Sequence, residues 1–458
     1  MSLTIRVLSS MALVLLGVAI FAAGAVTAQT ANPPVLEFDF PGMRIGVAEY
    51  DDGPTGTTVF YFPDGVIAAA DVRGGSPGTV NAHAVRLGYE DAFINAVVFS
   101  GGSWYGLSAA TGVANEIKRI KGDEGSYDFI AGVLGGIIYD VGGRRFSRIT
   151  PDDGLGATAL RTAEPNRFPM GASGAGRFAM QGVYYIDGEG ADPYAVWPHS
   201  GQGGAFSQSG PTKVAVFTVV NALGTIVDRD GRVVRCHRND AGVPCDQVAE
   251  LIEGTLSRRT SQPDTAEGPT ENTTLTLVVT NQKLTFAQLQ RLAVQVHGSM
   301  ARAIQPFATE ADGDVLYAVT TGEIENPGLS AVDLSVIASE LAWDAVLSSV
   351  PTLPELLQAG SAAPAASLLG LYSGVYEFPG GGRLTVSTNG TDLAATFSGE
   401  GRIYFNSNQT YDLIPSSSNL FIVDAPARDV IRFDATGEVI EGLTLNPGSW
   451  ALSGRRIR

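Results

Sequence analysis

Asp312 and Asp314 flank a single glycine, Gly313, so one tight turn carries two carboxylates. Buried together, they would push one pKa up; on the surface they would be a solvated turn. Gly74-Gly75-Ser76-Pro77-Gly78 has the G-x-S-x-G spacing of serine hydrolases and follows a strand-like run. That elbow takes an oxyanion donor from the backbone N–H of the residue after the serine. Pro77 has no N–H, so Ser76 is rejected as such a nucleophile and the segment reads as a rigid glycine turn. Gly171-Ala172-Ser173-Gly174-Ala175-Gly176 has the composition of a backbone anion nest. His83, His199, His237 and His297 are scattered without an H-E-x-x-H pattern. His297 falls in an amphipathic run and reads as a helix-surface or packing residue. Taken alone, Asn272-Thr273-Thr274 is an ordinary strand start or a glycosylation sequon. Asn221, after Phe217–Val220, is by itself a strand-end turn residue.

The elements that must position these groups are set by a chain of 458 residues, long enough for two or three domains. Hydrophobic residues make up 44% and charged residues 17%, which supports a large core and excludes wholesale disorder. Asp and Glu number 47 against 30 Lys and Arg, so a nucleic-acid role for the whole chain is disfavoured. With 2 Cys and 4 His, a Cys/His metal cluster is not expected. Glycine, at 56 residues, is unusually frequent.

Residues 1–28 carry Arg6, an apolar run from Met11 to about Phe21, and the small-residue exit Val26-Thr27-Ala28. This is the layout of a secretory signal peptide cleaved after Ala28. No later stretch reaches the ~18 apolar residues that span a bilayer. The expected mature protein is exported, periplasmic or extracellular, with no membrane span. Export permits a short-loop disulfide between Cys236 and Cys245.

From Ile45 to about Leu223, strand-like segments such as Thr57–Phe62, Val66–Val72, Ala96–Ser100 and Val214–Val220 alternate with glycine-rich turns. Ala109–Ile120 reads as a helix. Residues 224–271 are polar and read as a long exposed loop. At Thr273 the texture changes. Thr274–Thr280 is a β-branched strand, Phe286 to Ile304 repeats at helical spacing, Asp314–Thr320 is a strand, and Leu334 to Val346 marks a second amphipathic helix. Residues 351–367 read as a linker. After Leu368, eight short alternating segments, Arg402–Phe405 among them, suggest a small antiparallel barrel or sandwich, lipocalin-like in outline.

Several segments, in order, are similar to those of one family. Val72-Arg73-Gly74-Gly75-Ser76-Pro77-Gly78-Thr79 resembles the VRGG-x-PGT turn of the DmpA/P1 family, peptidase family S58. Phe99 to Leu107, with Ala109-Ala110, is similar to its TGGSxxGLxAA segment. Ala215–Asp228, containing Asn221, resembles VxVNxxGxxxD. Asn272-Thr273-Thr274-Leu275 resembles its self-cleavage site, and Asp312-Gly313-Asp314 its acidic turn. Many of the glycines fall in these segments. The insertion at 224–271 and the C-terminal strands lie outside the resemblance.

The resemblance implies a four-layer α/β/β/α sandwich (DmpA/ArgJ-like) over residues 29–350, self-cleaved between Asn272 and Thr273, with the small β domain at 368–458. It implies an N-terminal-nucleophile aminopeptidase or amidase acting on small peptides, amides or esters without a metal or organic cofactor, and a homo-oligomer of two-chain protomers. A threonine at a chain start carries its own α-amine as the base that activates its hydroxyl, so cleavage would create the catalyst at Thr273. Asn221 is the candidate oxyanion donor. Tyr139 resembles a family tyrosine near the substrate carbonyl, and Asp312 and Asp314 would orient the nucleophile. An acyltransferase of the same fold, and an uncleaved protein whose barrel holds an apolar ligand, are the alternatives.

Overall fold

The computed structural model describes residues 33–51, 53–87, 93–122, 130–141, 148–185, 199–234, 247–261, 272–326, 328–350, 368–389, 391–399, 409–424, 430–436, 439–446 and 451–458. The segment 1–28, Cys236 and Cys245, the linker 351–367 and Arg402–Phe405 lie outside the described residues.

The backbone of the fold is one long strand, Thr55–Val72, shared by the two halves of a ten-stranded sheet, which form a first and a second sheet layer. The sequence suggests two strands here, and a register irregularity between Tyr61 and Val66 is where they merge. The first half pairs antiparallel with Phe93–Ser100, which pairs in parallel with Val133–Ile137. The second half pairs antiparallel with Val315–Ile324, followed in order by Thr273–Gln282, Thr212–Asn221 and Gln202–Ser209.

Alternation of side chains along strands divides the core into layers. In the long strand, Phe60 and Phe62 face a central cluster with Phe99, Phe168, Phe217 and Tyr317, while Val59 and Tyr61 face the opposite way. That outer face is covered by the helices Ser108–Ile120 and Asp153–Arg161. On the second sheet the outer face is covered by Phe286–Ser299 and Ala331–Ser348. The result is the expected α/β/β/α stack. Both helices of the second layer start in capping boxes, Thr285 with Gln288 and Ser330 with Asp333, which satisfy first-turn N–H groups.

Residues 224–271 are not the uninterrupted loop expected. Val248–Ser261 is a helix, and Val248, Leu251 and Ile252 on one face pack on Val227 and Val233. The C-terminal domain is a closed antiparallel barrel of eight strands from Gly374–Glu377 to Leu452–Arg456, which settles barrel against sandwich. Leu452–Arg456, which the sequence reading omits, closes it. Tyr376, Phe397, Phe421 and Phe433 fill its interior, with Phe433 against Tyr372, Tyr376 and Phe421.

Candidate active site

Sheet register gathers the candidate residues at one end of the second sheet. Asn221 ends its strand and Thr273 begins the next, and antiparallel pairing sets them opposite one another. Val315–Ile324 runs parallel to the Thr273 strand, so Asp312-Gly313-Asp314, just before it, arrives at the same end. Val72 lies opposite Val315, so the chain leaves the long strand there into the Arg73-Gly74-Gly75 turn.

Asn272 and Thr273 are 4% and 3% exposed, so the bond between them is shielded from bulk water. The Thr273 hydroxyl donates to the Asn272 carbonyl oxygen at 2.6 Å. The Gly313 N–H donates to the same oxygen at 2.6 Å, and the Asn272 N–H donates to the Ala311 carbonyl at 3.2 Å. The Gly313 donor draws electron density to that oxygen and makes its carbon more open to attack. Glycine is required at 313, because a Cβ there would stand 2.5 Å from Thr273 Oγ1 and 2.9 Å from the Ser76 carbonyl oxygen.

The acidic turn is clamped by the Arg73-Gly74-Gly75-Ser76 turn. Arg73 and Gly74 N–H groups donate to the Asp314 carbonyl at 3.1 and 3.2 Å, and Ser76 N–H donates to the Asp312 carbonyl at 2.9 Å. A Cβ on Gly74 would come within 2.3 Å of backbone atoms of Asp312 and Asp314, so the two turns interlock only with glycine there. This gives the glycine turn around Ser76 a structural job in place of the rejected nucleophile.

Both carboxylates are buried, each 1% exposed, which excludes the solvated-turn reading. Asp314 accepts from the Thr274 N–H at 2.5 Å and the Ala308 N–H at 3.0 Å. Burial, then the charge of Asp312, pushes its pKa up to about 8 against those two hydrogen bonds. Asp312 accepts from Leu223 N–H at 3.2 Å and from the Thr309 N–H and hydroxyl at 2.9 and 2.7 Å.

Asn221, 2% exposed, is fixed at both ends of its amide. Its oxygen accepts from the Met180 N–H at 3.0 Å, and its nitrogen donates to the Tyr139 carbonyl at 3.0 Å. Tyr139 is thus joined to the site through its main chain. It follows the strand Val133–Ile137, and its neighbour Asp140 accepts from Thr55 Oγ1 and the Gly102 N–H, each at 2.7 Å. Sequence reasoning named Gly313 within the acidic turn but gave it no role, and it missed Met180 and Asp140.

Gly171–Gly176 does not converge its backbone on one anion: Ala175 N–H donates to Thr58 Oγ1 and Gly176 N–H to the Ser173 carbonyl, leaving the Gly174 N–H and the Ser173 hydroxyl for a carboxylate of the protein itself. Glu49 Oε1 accepts from the Gly174 N–H at 2.6 Å and the Ser173 hydroxyl at 3.2 Å. His297 is not on the helix surface. It is fully buried and its Nδ1 lies 3.0 Å from Asp71 Oδ2. Among the described residues, no group of three or more His, Cys, Asp or Glu is arranged to hold a metal ion, and no helix is long and apolar enough to cross a membrane.

The pattern of Peptidase family S58 matches residues 38–361, stopping before the barrel. The 6-aminohexanoate-oligomer endohydrolase of Paenarthrobacter ureafaciens is 38% identical over 326 residues, 69% of this chain and 86% of that protein. An uncharacterized aminopeptidase of Mycobacterium tuberculosis (strain ATCC 25618 / H37Rv) is 31% identical over 309 residues, 63% of this chain and 82% of that one. Among solved structures, a beta-aminopeptidase of Burkholderia sp. has 15% identity and a TM-score of 0.48, covering 70% of this chain and 87% of that one. By the span of the family match and the identity to these relatives, the chain belongs to peptidase family S58 and is a hydrolase.

Proposed function

We propose that the chain cuts itself between Asn272 and Thr273 and then uses Thr273 as an N-terminal nucleophile on amide bonds. The observation that carries this reading is the pair of donors, Thr273 Oγ1 and Gly313 N–H, each 2.6 Å from the Asn272 carbonyl oxygen. In the first step Thr273 Oγ bonds to the Asn272 carbonyl carbon, the carbon–nitrogen bond breaks, and the hydroxyl proton ends on the departing nitrogen. An ester and a free α-amine result. Water hydrolyses the ester, leaving Thr273 at the head of a new chain. Its amine, with an ordinary pKa of about 7.7–8.0, is the base for each later turnover.

In that turnover Thr273 Oγ attacks the substrate carbonyl, the amine leaves, and water releases the acyl group. An amide nitrogen has two hydrogens. Asn221 spends one on Tyr139 and offers the other to the developing oxyanion, beside the Gly313 N–H. The Asp312-Gly313-Asp314 turn, with Asp314 on the Thr274 N–H, positions the new N-terminus.

For the substrate, small peptides and amides cut at their N-terminal residue are the first reading. A second, cutting inside amide oligomers, is favoured by the 38% identity to a relative named as a 6-aminohexanoate-oligomer endohydrolase, against 31% to one named as an aminopeptidase. Incubating the matured protein with an amino-acid anilide and with linear 6-aminohexanoate oligomers separates the two. Release of the aniline alone supports the first, and shortening of the oligomers from within supports the second. Release of neither would overturn both. Export with loss of residues 1–28, and assembly of two-chain protomers into a homo-oligomer, belong to the same proposal.

A further inference from the structure

A knot of three side chains, with His297 buried and Asp71 and Arg73 partly exposed, lies beside the acidic turn. His297, in the last turn of the helix Phe286–Ser299, has a side chain only 1% exposed. Its Nδ1 is 3.0 Å from Asp71 Oδ2, and Asp71 lies opposite Leu316 in the sheet. The same Asp71 oxygen accepts from Arg73 Nε at 2.5 Å, and the Arg73 guanidinium also donates to the Val294 carbonyl at 2.8 Å, on the His297 helix. Burial works to raise the Asp71 pKa, but the hydrogen bonds from His297 and Arg73 outweigh it and hold the group below its ordinary value. An ionised carboxylate only accepts, which assigns the imidazole hydrogen to Nδ1. Burial pushes the His297 pKa down, with Asp71 opposing, and Nε2 has no hydrogen-bond partner. The Phe307 ring meets the imidazole edge to face, at 5.5 Å between centroids.

Two arms lead from this knot to Asp314. Through Asp71 the imidazole braces Arg73, whose backbone N–H, with that of Gly74, holds the Asp314 carbonyl. Through Phe307 it backs Ala308, whose N–H holds Asp314 Oδ2 at 3.0 Å while its own backbone sits at a φ of 56°. A non-glycine residue in that left-handed region persists only where its surroundings impose it.

We propose that His297, through Nδ1–H to Asp71, is a positioning residue that sets the Asp314 carboxylate against the Thr273 strand. The inference rests on the self-processing reading above. It concerns the part of the imidazole that faces Asp71, so two amides of different length separate it from simple filling of space. The amide of His297→Asn can reach Asp71 from the place of Nδ1, whereas that of His297→Gln extends towards the place of Nε2.

The experiment follows appearance of the Thr273 N-terminus by intact mass in the full-length chain, then kcat, KM and melting temperature of the matured protein. H297N is expected within about threefold of wild type. H297Q is expected to mature more slowly and lose about ten- to a hundredfold in kcat with KM little changed, the scale of a misplacement near 1 Å. Val296→Ala, a fully buried neighbour on the same helix, is the control for lost stability and is expected to lower the melting temperature without that loss of kcat. Equal behaviour of H297N and H297Q, or a loss in V296A matching that of H297Q, would overturn the positioning role. A wild-type chain that stays whole would instead overturn the processing reading on which it stands.

Discussion

The hydroxyl of Thr273 donates to the carbonyl oxygen of Asn272, 2.6 Å away, across the peptide bond that joins the two residues. Few features of a strand start require this. It holds the hydroxyl of the proposed self-cleavage beside the carbonyl it would attack, with Gly313 N–H already on the oxygen where charge would develop.

Gly313 is the tightest point of that arrangement. A Cβ at this position would stand 2.5 Å from Thr273 Oγ1, so Gly313→Ala must move the hydroxyl or the turn. Maturation is expected to slow by about a hundredfold or more, the scale of a 1 Å misplacement. Denaturing electrophoresis after timed expression checks it, and cleavage of G313A at the wild-type rate would remove the turn from the mechanism.

Asn221→Ala is expected to lower kcat by about 10²–10³ if its second N–H serves the oxyanion. It also strands the Met180 N–H and the Tyr139 carbonyl, at about 1–3 kcal/mol for each buried group left unpaired. Steady-state kinetics beside a denaturant melt separates the two effects. A stability loss with unchanged kcat would make Asn221 a structural tie only.

The raised pKa of Asp314 has a signature in stability. Its folded value is pushed to about 8 from an ordinary 3.8, so between those values the folded chain keeps a proton that the unfolded chain has released. Its contribution to stability therefore falls as pH rises from about 4 to about 8 and is level above that window. In the uncut Thr273→Ala background, adding Asp314→Asn is expected to flatten this part of the profile. Melting temperatures from pH 4 to 9 check it, and parallel profiles would contradict it.

In the barrel, Phe433 packs on Tyr372 at 4.7 Å between centroids and on Phe421 at 5.4 Å. Phe433→Ala is expected to cost about 3–5 kcal/mol in a denaturant melt of that domain. A cost under about 1 kcal/mol would mean the interior is not the packed core described.

The candidate site was named in the sequence through the family resemblance, and what the residues themselves made legible was that they stand at strand ends. Thr274–Thr280 and Val214–Val220 are plain β-branched runs, so the residues at their ends, Thr273 and Asn221, lie where strands begin and end. Their mutual pairing was not legible, since register is a tertiary property. Gly313 looked like any turn glycine, because the need for a missing Cβ arises from Thr273 and Ser76 arriving from elsewhere in the chain. His297 sits on an amphipathic helix, and nothing in its spacing says that Asp71 will meet it. The helix Val248–Ser261 was missed because Gly254, Thr255 and several Ser and Thr are poor helix formers. Its stability comes from Val248, Leu251 and Ile252 meeting Val227 and Val233. The composition of Gly171–Gly176 suggested a backbone nest, but only the Gly174 N–H and the Ser173 hydroxyl meet a carboxylate, that of Glu49 from more than a hundred residues away.

Self-cleavage is read from the intact mass of the purified protein under denaturing conditions. Two chains are expected, one ending at Asn272 and one beginning at Thr273, and a single uncut chain for Thr273→Ala. A single full-length chain in the wild type, or cleavage at the same bond in Thr273→Ala, would contradict it.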